Sequence, residues 1–167
     1  SQGQTGYCGA PAGAVVSKAM IHKWEEPALA GSGGSGAIFF GGCTMGCVYC
    51  QNAAISRRPR GEILDGAGLR GLMEDLIAQG AENIDLVTPT QYLPTIRPAL
   101  MPKLPVPVVY NSGGYEKADT IATLDGLVDI YLPDMKYADN RLAAALSGCG
   151  DYFQAAAKAI QEMVRQV

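Results

Sequence analysis

Four short apolar runs, separated by segments with helical or turn character, constrain the possible folds of this chain more than any other feature. The runs cover residues 37–40, 83–88, 106–110 and 127–132. Between the first two, apolar residues recur from Leu69 to Ile77 at the spacing of an amphipathic helix, which we expect to end at Gly80. Strands that alternate with helices in this way indicate βαβ units, right-handed connections and a parallel sheet. The sequence therefore predicts an α/β fold with about four βα units.

The second half of the chain contains further helical patterns. We predict helices over residues 92–100, 117–124 and 141–146. A longer helix is predicted to begin after Asp151, a residue type that often caps helix N-termini. Its apolar face would consist of Phe153, Ala156, Ala157, Ile160, Met163 and Val164.

The first part of the chain shows little periodicity. We therefore predict a lead-in segment over residues 1–35 and a core domain over residues 36–167. The run GSGGSG at residues 31–36 has the composition of a flexible linker, but a backbone packed closely around a ligand or cluster is the rival interpretation. The chain opens without methionine and stops inside a helical pattern, so we expect a piece of a longer protein whose core is incomplete at its C-terminus.

Composition argues against several classes of function. The chain has 167 residues, 48% hydrophobic and 17% charged, as is usual for one globular domain. A net charge of −3 offers no basic surface for nucleic acid, and no apolar run approaches the roughly 20 residues that span a membrane. We expect neither partner. Five cysteines, three of them clustered, do not suit a disulfide framework and are typical of a reducing compartment, so we expect a cytoplasmic location.

Three cysteines follow the first apolar run within one short loop. They are Cys43, Cys47 and Cys50, in the run CTMGCVYC. Each of the four irons of a [4Fe-4S] cluster needs an outside ligand, so three thiolates would leave one iron open to bind a small molecule. A structural zinc site is the alternative, but it needs four ligands and would have to recruit Cys8 or His22.

Other polar loops follow the remaining predicted strands. Thr88–Thr90 follows the second strand, residues 111–114 (NSGG) the third, and residues 133–136 (PDMK) the fourth. Ligands of parallel α/β sheets bind at the carboxyl ends of the strands, in open sheets and barrels alike. We therefore expect these loops and the cysteine loop to form one site.

The cysteine run also carries a family resemblance. CTMGCVYC resembles the CxxxCxΦC signature of the radical SAM superfamily, in which Φ is aromatic. Several further motifs resemble the members of that superfamily that are related to pyruvate formate-lyase activating enzyme. These motifs are HKWEEPALAG, GSGAIFFGGC, QNAAIS, NIDLVTPT, VVYNSGGYE and DIYLPDMKY. The resemblance covers residues 6–167 and implies a partial (β/α) barrel.

The resemblance implies a mechanism and its partners. The three cysteines would hold a [4Fe-4S] cluster, and S-adenosylmethionine would chelate the fourth iron. An electron from a donor such as flavodoxin or ferredoxin would cleave the sulfonium bond, and the resulting 5′-deoxyadenosyl radical would abstract hydrogen from a substrate. That substrate would be a glycyl radical enzyme, a small molecule or a peptide. The chain would thus be an oxidoreductase of the activating-enzyme type.

The resemblance also implies residues that bind S-adenosylmethionine. They are Tyr49, which would lie near the adenine, and Thr88, Thr90, Asn111, Ser112, Asp134 and Lys136. Two departures from the family pattern stand out. Thr-Pro-Thr replaces a Gly-Gly-Glu motif after the second strand, and Asn111 replaces an acid. Asp134 and Lys136 match an Asp-x-Lys motif that contacts the cofactor in the activating enzymes. The alternative is that the two residues form an exposed ion pair.

Some residues keep a structural interpretation. We expect His22, the sole histidine, to be structural, Cys149 to be a small buried residue, and Glu25 and Glu26 to be a solvated pair or to face the site. The chain as a whole also has an alternative function. It would be a non-catalytic remnant that holds an iron-sulfur cluster or zinc, because radical SAM cores usually have six βα units and only four are visible here.

Overall fold

The computed structural model describes residues 8–167 and shows a mixed α/β fold with a six-stranded sheet. The strands are β1 (Ala14–His22), β2 (Ser35–Phe40), β3 (Glu62–Leu64), β4 (Asn83–Val87), β5 (Val108–Ser112) and β6 (Ile130–Pro133). The helices are α1 (Pro27–Ala30), α2 (Ala53–Ser56), α3 (Gly66–Ala78), α4 (Leu93–Ala99), α5 (Ala118–Ala122), α6 (Asn140–Ser147) and α7 (Tyr152–Gln166). A short 3₁₀ turn, Thr90–Tyr92, precedes α4. Within residues 8–167, no helix combines the length and apolar character needed to cross a membrane.

The sheet has the strand order β3-β1-β2-β4-β5-β6. Strands β2, β4, β5 and β6 are parallel neighbours in chain order, which confirms the predicted parallel sheet. Strand β5, the third of the predicted strands, begins at Val108, two residues later than predicted. Pro107 has no N–H group that could donate a hydrogen bond to a neighbouring strand. The carbonyl of Pro107 still accepts a hydrogen bond from the Ile84 N–H at 2.9 Å.

The sequence analysis missed two strands, and one of them lies in the predicted lead-in segment. Strand β1 pairs antiparallel with both β2 and β3, so residues 14–22 are an integral part of the sheet. The pairing register shifts between Val16 and Lys18, and this irregularity interrupts the alternation that would have revealed the strand. Strand β3 has only three residues. The first seven residues of the lead-in lie outside the described part of the chain.

The glycine-rich segment is packed, not a flexible linker. The Glu82 carboxylate accepts hydrogen bonds from the backbone N–H groups of Ser32 and Gly33 at 2.8 and 2.5 Å. The hydrogen bond from the Gly33 N–H, followed by that from the Ser32 hydroxyl, lowers the pKa of Glu82. A side chain at Gly33 would meet the Gly80 carbonyl oxygen at 2.4 Å. The backbone is therefore packed closely, as the rival interpretation supposed, but against the turn before β4.

One face of the sheet carries the hydrophobic core. The even-numbered residues of the central strands, including Ile38, Ile84 and Tyr110, are buried together with the apolar residues of the helices. Alternate residues point to the opposite face of a strand. Asp85, Val87 and Asn111 therefore lie on the other face.

The predicted helices are present. Asp65 caps α3, because its carboxylate accepts the Gly68 N–H at 2.8 Å. Helix α7 differs from the prediction in two respects. Asp151 precedes α7 but makes no capping hydrogen bond, since its carboxylate accepts the Tyr115 hydroxyl at 2.6 Å. The buried face of α7 is also rotated from the predicted one. It consists of Tyr152, Ala156, Ala159 and Met163, whereas Phe153 and Val164 are exposed.

Candidate functional site

A cavity of about 460 Å³ lies at the carboxyl ends of the four parallel strands. This volume is within the range of roughly 300–1,000 Å³ found for small-molecule sites. Nine of the residues singled out in the sequence line it: Cys43, Cys47, Tyr49, Cys50, Thr88, Asn111, Ser112, Asp134 and Lys136. The loops after β2, β4, β5 and β6 thus meet at one place, as the strand order predicted.

Hydrogen bonds from the 3₁₀ turn hold the start of the cysteine loop. The Gln91 side-chain amide donates to the carbonyls of Gly41 and Gly42, both at 3.1 Å. The buried Tyr92 hydroxyl also donates to the Gly41 carbonyl, at 2.8 Å. These contacts anchor the loop that carries Cys43 to the segment after β4.

The C-terminal end of α6 holds the middle of the same loop. The last carbonyls of an α-helix have no partner inside the helix. Here the carbonyls of Leu146 and Ser147 accept the N–H groups of Val48 and Gly46 at 2.8 and 3.0 Å. The loop and the helix end therefore satisfy each other, and the cysteines depend on a helix about 100 residues away in sequence.

Each cysteine sulfur has one hydrogen-bonding neighbour. The Met45 N–H donates to Cys43 Sγ at 3.4 Å, and the Ser147 hydroxyl donates to Cys47 Sγ at 2.9 Å. The Ser56 hydroxyl lies 3.3 Å from Cys50 Sγ. Hydrogen bonds of this kind stabilise negative charge on sulfur.

The bond to Cys47 ends a chain of three hydroxyl groups. Tyr49 hydrogen-bonds to Tyr137, and the Tyr137 hydroxyl lies 2.6 Å from that of Ser147. Tyr137 and Ser147 are buried. The sequence analysis identified Tyr49 from its place beside Cys50, but no local signal pointed to the other two residues.

A single metal ion and an iron-sulfur cluster require different arrangements of the three cysteine thiols. Within residues 8–167, no three His, Cys, Asp or Glu side chains converge as ligands of one metal ion. A single zinc ion needs such convergence, whereas in an iron-sulfur cubane each cysteine binds a different iron. Burial, and then the neighbouring Cys47 and Cys50, raise the pKa of Cys43 against the opposing effect of the Met45 N–H. The three thiols line one cavity and are the donor type that an iron-sulfur cluster takes.

The far wall of the cavity is polar and comes from β5 and β6. Asn111 and Ser112 end β5, and the next loop carries Asp134 and Lys136. The Lys136 ammonium lies 2.5 Å from the Asp134 carboxylate. Burial acts to lower the pKa of Lys136, but the hydrogen bond and charge of Asp134 outweigh it and raise that pKa. The two residues form an ion pair and also line the cavity, so both interpretations of them describe part of what is seen.

Two threonines after β4 differ in their surroundings. Thr88 lines the cavity and has a φ of 60°, a value that is uncommon for a residue with a side chain and that costs free energy. Thr90 does not line the cavity, although it was expected to bind the cofactor. Its hydroxyl instead donates to the buried carboxyl group of Glu116 at 2.5 Å.

The carboxyl group of Glu116 gives a prediction about pH. Burial raises the pKa of Glu116 to about 7, against hydrogen bonds from Thr90, Tyr110 and Ser112 that act to lower it. The unfolded chain would release this proton near its usual pKa of about 4.3, so folding becomes less favourable as the pH rises from about 4.5 to 7. We expect Glu116→Gln to reduce this loss of stability. Urea unfolding at pH 5 and pH 8 measures the difference.

The matched control for that experiment is Asp119→Asn, which removes an exposed carboxylate on the neighbouring helix α5. The wild type and the control should both lose stability on going to pH 8, and Glu116→Gln should lose less by an amount on the order of 2–3 kcal/mol. Equal losses in all three proteins would contradict the assigned role of Glu116.

The other singled-out residues lie outside the cavity lining. His22 ends β1 and pairs with Ser35 of β2, which fits the structural role expected for it. Cys149 is buried, as expected, and its sulfur donates to the Ser147 carbonyl at 3.3 Å. Cys8 also lies outside the lining, and all five cysteines are unpaired.

No protein-family model matches the chain. An uncharacterized protein of Methanocaldococcus jannaschii is 31% identical over 144 residues, which cover 80% of this chain and 41% of that protein. The chain therefore spans about two fifths of the length of this relative. What the fold and the site define is an α/β domain with a three-cysteine cavity at the carboxyl ends of its parallel strands.

Proposed function

We propose that this chain is the cluster-binding part of a radical SAM enzyme, with a [4Fe-4S] cluster on Cys43, Cys47 and Cys50. The observation that carries the proposal is the meeting of these three thiols, in one cavity, with the polar loops after β4, β5 and β6. The parallel strands follow one another without reversal, as they would in an arc of a (β/α) barrel. The signature spacing of the cysteines supports the same proposal.

Different residues of the cavity would bind the cluster and S-adenosylmethionine. The three thiolates would bind three irons, and Asn111, Ser112 and the Asp134–Lys136 pair would hydrogen-bond to the polar groups of S-adenosylmethionine. Tyr49, half exposed at the edge of the cavity, offers an aromatic face to the adenine. When bound, the cluster supplies the electron that cleaves S-adenosylmethionine reductively. A separate protein donor such as flavodoxin or ferredoxin would provide that electron, and the hydrogen donor is proposed to be a glycyl radical enzyme or a smaller molecule.

Anaerobic reconstitution tests the proposal. The chain is supplied with iron and sulfide, reduced with dithionite and incubated with S-adenosylmethionine, and 5′-deoxyadenosine is measured. We expect about four irons and four sulfides per chain, and formation of 5′-deoxyadenosine. One zinc per chain without iron or sulfide would contradict the cluster.

A second candidate function is a non-catalytic module that holds an iron-sulfur cluster or zinc for structural or electron-transfer purposes. The observation that favours it is the open sheet: within residues 8–167, the parallel strands β2, β4, β5 and β6 do not close into a barrel. A fully loaded cluster that yields no 5′-deoxyadenosine would favour this candidate.

Ser147 gives a prediction that does not depend on turnover. Its hydroxyl donates to Cys47 Sγ, and such a bond stabilises the reduced, more negative cluster. We expect Ser147→Ala to bind the cluster normally and to lower its midpoint potential in an electrochemical titration. Tyr49→Phe removes the hydroxyl group that is farthest from Cys47 in the series Tyr49–Tyr137–Ser147, and it should change the midpoint potential less. An unchanged potential in Ser147→Ala would exclude this role.

A further inference from the structure

A group of buried oxygen atoms lies on the sheet face opposite the hydrophobic core, outside the cysteine cavity lining. Three of its side chains are fully or almost fully buried: Ser35 at 0%, Asn83 at 3% and Asp85 at 0% exposure. Among the described residues, the Ser35 hydroxyl, the Asn83 amide oxygen and both Asp85 carboxylate oxygens have no partner at good hydrogen-bond geometry, although Glu25 and Asn111 lie close enough to act on the Asp85 carboxyl. Unsatisfied buried oxygens are unusual in proteins, because each has lost its hydrogen bonds to water.

The pairing of the strands brings these oxygens together. Ser35 of β2 is the direct partner of Asn83 on the parallel strand β4. Asp85 lies two residues beyond Asn83, so alternation along the strand places both side chains on the same face. The Asn83 amide group donates to the Leu29 carbonyl at 2.7 Å, which ties the segment between β1 and β2 over this part of the sheet.

That covering segment adds a second carboxylate. Glu25 lies beside Asp85, and after burial it is the next cause that raises the pKa of Asp85, to about 7. Glu25 also lines an open cleft with Lys23, Trp24 and Glu26. No lysine or arginine in the described part of the chain forms an ion pair with either carboxylate of this pair. The two carboxyl groups therefore lack a neutralising ion-pair partner, and Glu25 is reached from the cleft.

We propose that these side chains bind a divalent metal cation, Mg²⁺ or Ca²⁺. The oxygen cluster consists of Glu25, Ser35, Asn83 and Asp85. Carboxylate, amide and hydroxyl oxygens are hard ligands that these cations prefer, and water entering from the cleft would complete the coordination. Two carboxylates match the charge of a divalent cation, whereas an ammonium group would neutralise only one. None of these four side chains lines the cysteine cavity, although Asn111, which acts on Asp85, does; the proposal does not depend on the function proposed for that cavity.

Cation-dependent stability tests this proposal. The chain is dialysed against EDTA, its thermal unfolding is followed with and without CaCl₂ or MgCl₂, and binding is measured by calorimetry. Thiols are soft ligands, so these two cations do not report on the cysteines. At a cation concentration about 100 times the dissociation constant, we expect the melting temperature to rise by about 5–10 °C.

Two variants locate the effect. Asp85→Asn keeps the size of the side chain and removes its charge, and we expect it to weaken cation binding at least about tenfold. Glu26→Gln removes the neighbouring, exposed carboxylate and should bind the cation like the wild type. The cation-induced shift is compared within each variant, so a change in the intrinsic stability of Asp85→Asn does not affect the result.

Three outcomes would overturn the proposal. The wild type would show no shift and no binding heat with either cation, or Asp85→Asn would keep the full shift, or Glu26→Gln would lose it. If no cation binds and Asp85→Asn is simply more stable at neutral pH, Glu25 and Asp85 are a carboxyl pair that shares a proton. Loss of the cysteine cluster would not produce any of these results.

Discussion

Cys47→Ala is expected to abolish binding of the iron-sulfur cluster. Cys47 provides the central thiol of the cysteine loop and lines the cavity, and its sulfur accepts a hydrogen bond from the buried Ser147 hydroxyl. Two remaining thiols would hold only two irons of a cubane, and the cluster would be lost or degraded. Iron and sulfide analysis after anaerobic reconstitution should show less than about one tenth of the wild-type loading, with the visible absorption of the cluster lost in parallel.

Cys149→Ala is the matched control, because it also removes one thiol from the same region. Cys149 is buried near Cys47 and Cys43, and burial first, followed by the charges of Cys47, Asp151 and Cys43, raises its pKa to about 11. Its sulfur donates to a backbone carbonyl and does not line the cavity. We expect full cluster loading in this variant. Equal loading in Cys47→Ala and Cys149→Ala would mean that the ligands are wrongly assigned.

Tyr152→Ala is expected to cause the largest loss of folding stability. The side chain is fully buried. Its ring is edge-on to that of Tyr137, with 5.3 Å between the ring centroids, and stacks on that of Tyr115, with 6.0 Å between the centroids. Truncation of such a side chain removes its packing and leaves a cavity, which costs about 3–5 kcal/mol. Chemical denaturation of the two proteins measures the change in the free energy of unfolding.

The hydroxyl of Tyr152 can be tested separately. It lies 2.8 Å from the carbonyls of Gly113 and Asp134 and accepts the Lys136 N–H at 2.9 Å, so it connects the loops after β5 and β6. Tyr152→Phe leaves these buried groups with fewer partners and should cost about 1–3 kcal/mol. Phe153→Ala, one residue further and 40% exposed, is the control and should cost less than about 1 kcal/mol. Similar losses in Phe153→Ala and Tyr152→Ala would contradict the observed orientation of α7.

The parallel strands could be predicted because each reads as a mostly apolar run, and three of them, β2, β4 and β5, are buried along most of their length. Strand β1 could not, because its irregular pairing near Ser17 breaks the alternation of a half-buried antiparallel strand. The predicted buried face of α7 began at Phe153, one residue after the observed one. Tyr152 and Phe153 are both aromatic, and only the packing against Tyr115 and Tyr137 decides which one is buried.

The candidate site was predictable where a local rule applied. The carboxyl ends of parallel strands gather ligand-binding loops, and this rule brought Asn111, Asp134 and the cysteines together. Thr90 lies in one of these loops but does not line the cavity, because its hydroxyl donates to Glu116. Ser147 and the unsatisfied Asp85 could not be found in this way, because their roles come from contacts between segments distant in sequence.

Electron paramagnetic resonance of the reduced cluster, with and without S-adenosylmethionine labelled with ¹⁵N and ¹⁷O in its methionine part, tests the central claim most directly. If the three thiols leave one iron open, the label should give hyperfine coupling to the cluster, and Cys149→Ala should give the same spectrum. A spectrum that does not respond to S-adenosylmethionine, and that changes when Cys149 is removed, would mean that the protein itself occupies the fourth iron.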